Sequence, residues 1–275
     1  MMNGLATREN SAARAAPPYD CAVWTAELRP LNAPYRARLV VFPHSAAGPN
    51  TLLPLVAELP TWIQVIGVTL PGRERRFGEP PGTAVADVVA GVGDELARMD
   101  PAPTFLLGHS MGAALAFALA MRLPDSCAGL FLSGQLPERP PDAIDAAAGD
   151  AELAAFLHAG GNTAPELLAD EEWRRHLIGL LRSDVDLCAR ASRISAAGLV
   201  HVPITAMGGA QDPHVHPELL GSWAARSTAP CATALFPGRH FYLLDPANLA
   251  AVADTVSTVI RTTPAFIVAM RRARP

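Results

Sequence analysis

A chain of 275 residues, half of them hydrophobic and only 17% charged, has enough apolar material for one large core, which excludes a disordered chain. A formal net charge of -4 disfavours nucleic acid and other polyanions as the general partner. All 22 basic residues are arginine, which together with abundant Ala and Pro reads as base-composition bias rather than function.

Residues 1–20 are polar and rich in Ala and Pro, so a disordered segment without a secretion signal is expected there. Residues 38–42 (Arg-Leu-Val-Val-Phe) and 62–68 (Trp-Ile-Gln-Val-Ile-Gly-Val) read as strands, and 85–99 has helical spacing. A strand at 104–107 (Thr-Phe-Leu-Leu) runs directly into Gly108-His109-Ser110-Met111-Gly112, and a helix-forming stretch follows at 113–121. Further strands are expected at 127–133, 203–207 and 232–236, with a closing helix at 248–260. Alternating strands and helices with apolar strands imply a mostly parallel sheet covered by helices on both faces. Ligands in such sheets sit beyond the carboxyl ends of the strands.

From about 143 to 192 the pattern is helical without a strand, which fits either a lid over a site or a helical decoration without gating. The expected division is a core of 21–142 and 193–265, an insertion of 143–192 and a tail of 266–275. No clean apolar run of 18 residues occurs; 105–121 breaks at its His-Ser pair, so a soluble cytoplasmic protein is expected. Cys21, Cys127, Cys188 and Cys231 are widely spaced and read as reduced, mostly buried thiols rather than a zinc or redox motif.

The chemistry centres on Ser110. A serine on a sharp strand-to-helix turn is exposed and strained, and the helix N-terminus beyond it offers free N–H groups. A hydroxyl needs a base within reach and an acid to orient that base. In this setting the order is Ser, then acid, then His. Asp212 follows the 203–207 strand, and His240 follows the 232–236 strand. The other seven histidines are in the wrong order or place, and Asp184 and Asp186 precede the strand after which the acid is expected. Asp212-x-His214-x-His216 lacks a distant further ligand, so no metal is expected. His240 with Asp245 also fits an acyl-transfer H-x4-D spacing, which two letters support only weakly. The oxyanion donors expected are the backbone N–H groups of Met111 and, from the loop after the first predicted strand, Ser45. Arg73, Arg75 and Arg76 form the densest basic cluster, either a solvated loop with internal ion pairs or a docking patch for an acidic partner.

Taken in order, Phe42-Pro43-His44, Leu70-Pro71-Gly72-Arg73, Arg76-Phe77-Gly78-Glu79-Pro80, Gly108-His109-Ser110-Met111-Gly112, Gly208-Gly209 with Asp212, and Pro237-Gly238-Arg239-His240-Phe241-Tyr242-Leu243 resemble the type II thioesterases of polyketide and nonribosomal peptide synthesis. The resemblance spans about 24–260 and implies an α/β-hydrolase fold with a helical lid. It implies hydrolysis of acyl thioesters on the phosphopantetheine arm of an acyl or peptidyl carrier protein, without a cofactor of the enzyme's own. A monomer acting without membrane or nucleic acid is the expected form. An acyltransferase or cyclising esterase using the same three residues is the alternative, and a silent scaffold of the same fold is a further one. Where the family usually has His-Ala-Gly-Gly, this chain has His44-Ser45-Ala46-Ala47, which places two side chains where glycine is usual. The aromatic residues usual after the lid are absent around Arg190-Ala191-Ser192.

Overall fold

The computed structural model describes residues 24–30 and 34–272; the expected disordered segment at 1–20 and Cys21 lie outside the described residues. In chain order the strands are β1 (Thr25–Glu27), β2 (Ala37–Phe42), β3 (Ile63–Val68), β4 (Thr104–His109), β5 (Cys127–Ser133), β6 (Ile204–Gly209) and β7 (Cys231–Phe236). The helices are α1 (Leu53–Glu58), α2 (Val85–Ala97), α3 (Met111–Arg122), α4 (Asp150–Gly160), α5 (Pro165–Ala169), α6 (Glu171–Ala197), α7 (Leu249–Thr262) and α8 (Pro264–Arg272).

One seven-stranded sheet has the order β1-β3-β2-β4-β5-β6-β7. β1 runs antiparallel to β3, and every other pair is parallel. All six residues of β2, β3 and β4 are buried, because helices cover both faces and neither set of alternating side chains meets water. On one face Val40, Leu106 and Leu130 pack beneath α2 and α3 through Val88, Val92 and Phe117. On the other, Leu39, Phe105 and Phe131 meet α1 and α7 through Leu55, Val256 and Ile260. Each such side chain stabilises the fold by about 1.5–3 kcal/mol through burial. α7 buries Val252, Val256 and Ile260 at helical spacing, while α3, sandwiched under other elements, is apolar nearly all round.

α1 is not among the expected elements, and β1, α8 and α6 also depart from them. β1 joins the sheet although its three residues, Thr-Ala-Glu, carry no hydrophobic run; pairing with β3 supplies what composition does not. α8 occupies most of the expected tail because Phe266 is buried and its ring lies 5.3 Å from that of Trp62. α6 continues past 192 to Ala197, with Ser195 buried and bonded to the Pro137 carbonyl at 3.0 Å.

Between β5 and β6 the chain builds a helical layer of α4, α5 and α6. Asp170 caps α6 by accepting the N–H groups of Glu172 and Trp173 at 3.0 and 2.9 Å. Leu153, Leu157, Ile178, Leu181 and Val185 form a small core of that layer, separate from the two sheet cores. Among the described residues no helix is long and apolar enough to cross a membrane.

Candidate active site

Ser110 occupies the turn between β4 and α3 with φ 54° and ψ −123°. A Cβ on Gly108 would lie 2.1 Å from the Gly112 carbonyl oxygen, and one on Gly112 would lie 2.2 Å from the Phe42 carbonyl oxygen. The two glycines are therefore steric requirements of the turn. The Ser110 N–H donates to the Ser133 carbonyl at 2.8 Å, which ties the turn to the end of β5.

Asp212 and His240 lie on the loops after β6 and β7, at the same sheet edge. His240 Nδ1 is 2.8 Å from Asp212 Oδ2, while Asp212 Oδ1 accepts the N–H groups of His214 and Val215 at 2.8 and 3.2 Å. Burial pushes the Asp212 carboxyl up, but the hydrogen bond and charge of His240 and the two amides outweigh it and hold the group below the ordinary carboxylate range. An ionised carboxylate facing Nδ1 assigns the proton to that nitrogen and leaves Nε2 as the basic one. Ser110 and His240 line one cavity of about 930 Å³. Ser110 Oγ has no hydrogen-bond partner among the described residues; catalytic hydrogen bonds commonly tighten only when substrate is bound.

Two other imidazoles crowd the site. His44 is pushed down to about 3 by burial and by the neighbouring His240 and Arg73. His109, fully buried, is driven well below the ordinary histidine value by burial and by His240 and His44. Both are neutral packing elements at physiological pH. His109 Nδ1 meets Ser133 Oγ at 2.9 Å, and Ser133 Oγ meets the Tyr242 hydroxyl at 2.6 Å. Gly134, at φ 59°, leaves room for this stack, since a Cβ there would come within 2.8 Å of His109 and 3.2 Å of His240. Tyr242 lies in the Pro237–Leu243 motif and Ser133 ends the 127–133 strand, but nothing local in the sequence marks either, or Gly134, as packing behind the site.

The loop after β2, residues 44–48, lines the same cavity as Ser110. The Ala46 N–H donates to Asp184 Oδ2 at 2.7 Å, and the Ala47 N–H to the His44 carbonyl at 3.3 Å. Among the described residues the amides of Ser45 and Met111 have no protein acceptor. Ala46 adopts φ 61° without being glycine.

The basic cluster is corrected in two of its three members. Arg73 is buried and holds Asp184 with both arms, at 2.6 and 2.8 Å. Arg76 is buried, pairs with Glu79 at 2.7 Å and lies over the Trp24 ring at 4.3 Å. Their side chains turn inward because each finds a carboxylate or ring there, so neither belongs to a surface patch. Arg75 alone of the three is exposed. Asp184, set aside from the sequence as an orienting acid, is instead a buried partner of Arg73 and of the Ser45-Ala46-Ala47 loop. Its signal was an acid on the apolar stripe of a helix, with Leu180, Leu181 and Leu187 buried around it; a charge in that position requires a partner.

Competing assignments fall away on contacts. Asp245 caps its own turn through the Ala247 N–H at 3.0 Å, and Asp186 pairs with Arg190 at 2.8 Å. His216 is exposed, and among the described residues no three His, Cys, Asp or Glu side chains gather as a metal site. Cys188 borders the cavity, but burial pushes its thiol up to about 11, so it is protonated and a poor nucleophile at neutral pH.

Comparison with known proteins matches residues 37–260 to the Thioesterase domain family. Gramicidin S biosynthesis protein GrsT of Aneurinibacillus migulanus is 29% identical over 221 residues, 78% of this chain and 86% of that protein. Thioesterase PikA5 of Streptomyces venezuelae is 28% identical over 236 residues, covering 82% of each chain. The solved structure of the type II thioesterase BorB from the borrelidin biosynthetic cluster superposes with a TM-score of 0.73 at 29% identity, over 87% of this chain and 98% of that one. With a serine on a strand-to-helix turn, a hydrogen-bonded Asp-His pair at the same sheet edge and these relatives, the chain belongs to the thioesterase-domain family of α/β-hydrolases and is a thioester hydrolase built like the type II thioesterases.

Proposed function

We propose that the protein hydrolyses acyl thioesters carried on the phosphopantetheine arm of a carrier protein in polyketide or nonribosomal peptide synthesis, with Ser110, His240 and Asp212 as its catalytic triad. The 2.8 Å contact between His240 and Asp212, in a cavity shared with Ser110, carries this reading. His240 Nε2 takes the Ser110 proton as Oγ attacks the thioester carbonyl. The N–H groups of Ser45 and Met111 receive the oxyanion, and the carrier thiol leaves with the proton returned by His240. Water activated by His240 then attacks the acyl-serine and releases the acid. Asp212 fixes the imidazole tautomer and stabilises its cation.

The cavity suits an acyl chain. Its volume lies near the upper end of the roughly 300–1,000 Å³ typical of small-molecule pockets. Leu157 of α4 and Leu177, Leu181 and Val185 of α6 supply an apolar wall, so the helical layer at 143–192 serves as the lid. The enzyme needs no cofactor of its own, because the phosphopantetheine belongs to its substrate. A cytoplasmic monomer that meets an acidic carrier protein, with Arg75 at the contact, completes the proposal; the net charge of -4 argues against nucleic acid.

The test is mass spectrometry of a panel of acyl-loaded carrier proteins incubated with wild-type enzyme and with Ser110→Ala. Free acid from the wild type and a loss of at least about 10³-fold in the variant are expected, since triad members act as a unit. Acyl groups recovered on an added alcohol or amine instead of water would establish transfer rather than hydrolysis.

A further inference from the structure

We infer that Asp184 and Arg73 are positioning residues that hold the oxyanion loop in its working shape and anchor it to the lid; this rests on the serine-hydrolase reading above. The loop is gripped at consecutive residues. Asp184 Oδ2 accepts the Ala46 N–H at 2.7 Å, and Arg73 Nη1 donates to the Ala47 carbonyl at 3.2 Å. Arg73 and Asp184 in turn hold each other with two bonds, at 2.6 and 2.8 Å. Both side chains are buried, at 4% and 2% exposure, so water does not compete for these contacts.

The grip falls where the backbone needs it. The described non-glycine residues with positive φ are Ala46, Glu74 and Ser110. One is the proposed nucleophile, and the other two belong to this loop and to its support. An L residue at positive φ is sterically disfavoured and persists only where its surroundings over-determine it. Glu74 extends the support by accepting the Asn50 N–H at 2.9 Å, and its side chain fills the space where a Cβ on Gly48 would stand. The Ala46 and Ala47 amides are engaged, whereas the Ser45 amide between them and His44 has no acceptor among the described residues. A buried ion pair adds little net stability over apolar residues of like volume, but it can fix a single arrangement. Asp184 also lies on α6 beside Leu181, Val185 and Cys188, which line the cavity. One carboxylate therefore links the acyl-binding wall to the oxyanion loop.

The experiment replaces the pair with apolar residues, Asp184→Leu with Arg73→Met, and follows steady-state hydrolysis of an acyl-carrier thioester together with the thermal midpoint. The expected result is a midpoint that does not fall, a KM within about twofold and a kcat lower by at least about tenfold, against roughly 10²- to 10³-fold for outright loss of a donor. Adding Ala46→Gly, which permits positive φ without steric cost, should shrink the effect of the pair to below about threefold relative to Ala46→Gly alone. A kcat within twofold of wild type, or an equal loss with and without Ala46→Gly, overturns the inference. If the paired variant does not fold, Asp184→Asn, which keeps the side-chain volume, undergoes the same two comparisons. Ser110→Ala is assayed alongside. If that variant retains turnover, the serine reading itself has failed; if it is inactive while the pair variant is unimpaired, only the positioning role has failed.

Discussion

Ser110, Asp212 and His240 are far apart in sequence, and each rests on a local contact that decides what its side chain can do. Asp212 receives two backbone N–H groups on one oxygen and His240 on the other, so it stays ionised and oriented while buried. Asp212→Asn keeps the shape but turns an amide toward Nδ1 and favours the wrong tautomer. A fall in kcat of about 10⁴-fold with the fold intact is expected, measured on a thioester substrate; a fall of less than tenfold would leave Asp212 without its assigned role. That these three residues share one sheet edge was legible from the order of motifs along the chain. Asp184 was not, because its partners Arg73 and Ala46 come from loops more than a hundred residues away.

At the scale of elements, the strands that carry the site were readable to within a residue or two, since each is a short, mostly apolar run; β4 and β6 are fully buried, whereas β7 at the sheet edge is largely exposed. β1 and α8 were not readable, because their apolar content is slight and their stability comes from what they lie against. The helical layer was visible as a gap in the alternation, but its function depends on its own core. Leu153, with no exposure, sits at the centre of that core. Leu153→Ala should cost the layer about 2–5 kcal/mol. Hydrogen exchange should then quicken in α4 and the first half of α6 while β4 and β5 keep their protection. Uniform acceleration across the sheet would show instead that the layer does not open as its own unit.

For the whole molecule, burying neutral histidines has a consequence for acid stability. His44 has its pKa held at about 3 against an ordinary value of 6.5. Between those values the unfolded chain binds a proton that the folded chain refuses. Stability therefore rises with pH across that window and is lost as pH falls through it. His109 and Asp212, also held low, act in the same direction. Urea midpoints should drop between pH 6.5 and 4, and His44→Gln should make the drop shallower; an unchanged slope would show that His44 takes no part in it.

The sequence by itself determined the sheet, the strand-to-helix turn of Ser110 and the placement of Asp212 and His240 on loops at the same edge. Those depend on local pattern: apolar runs, glycines flanking a serine, and loops that must leave a parallel sheet at one edge. Only the tertiary structure decided where the arginines point and how a loop without its usual glycines is held. A cluster written as Arg-Glu-Arg-Arg reads as surface charge, yet Arg73 and Arg76 turn inward because Asp184, Glu79 and Trp24 lie there to receive them. The positive φ of Ala46 is likewise a product of long-range contact, since no neighbouring residue in the chain prefers it.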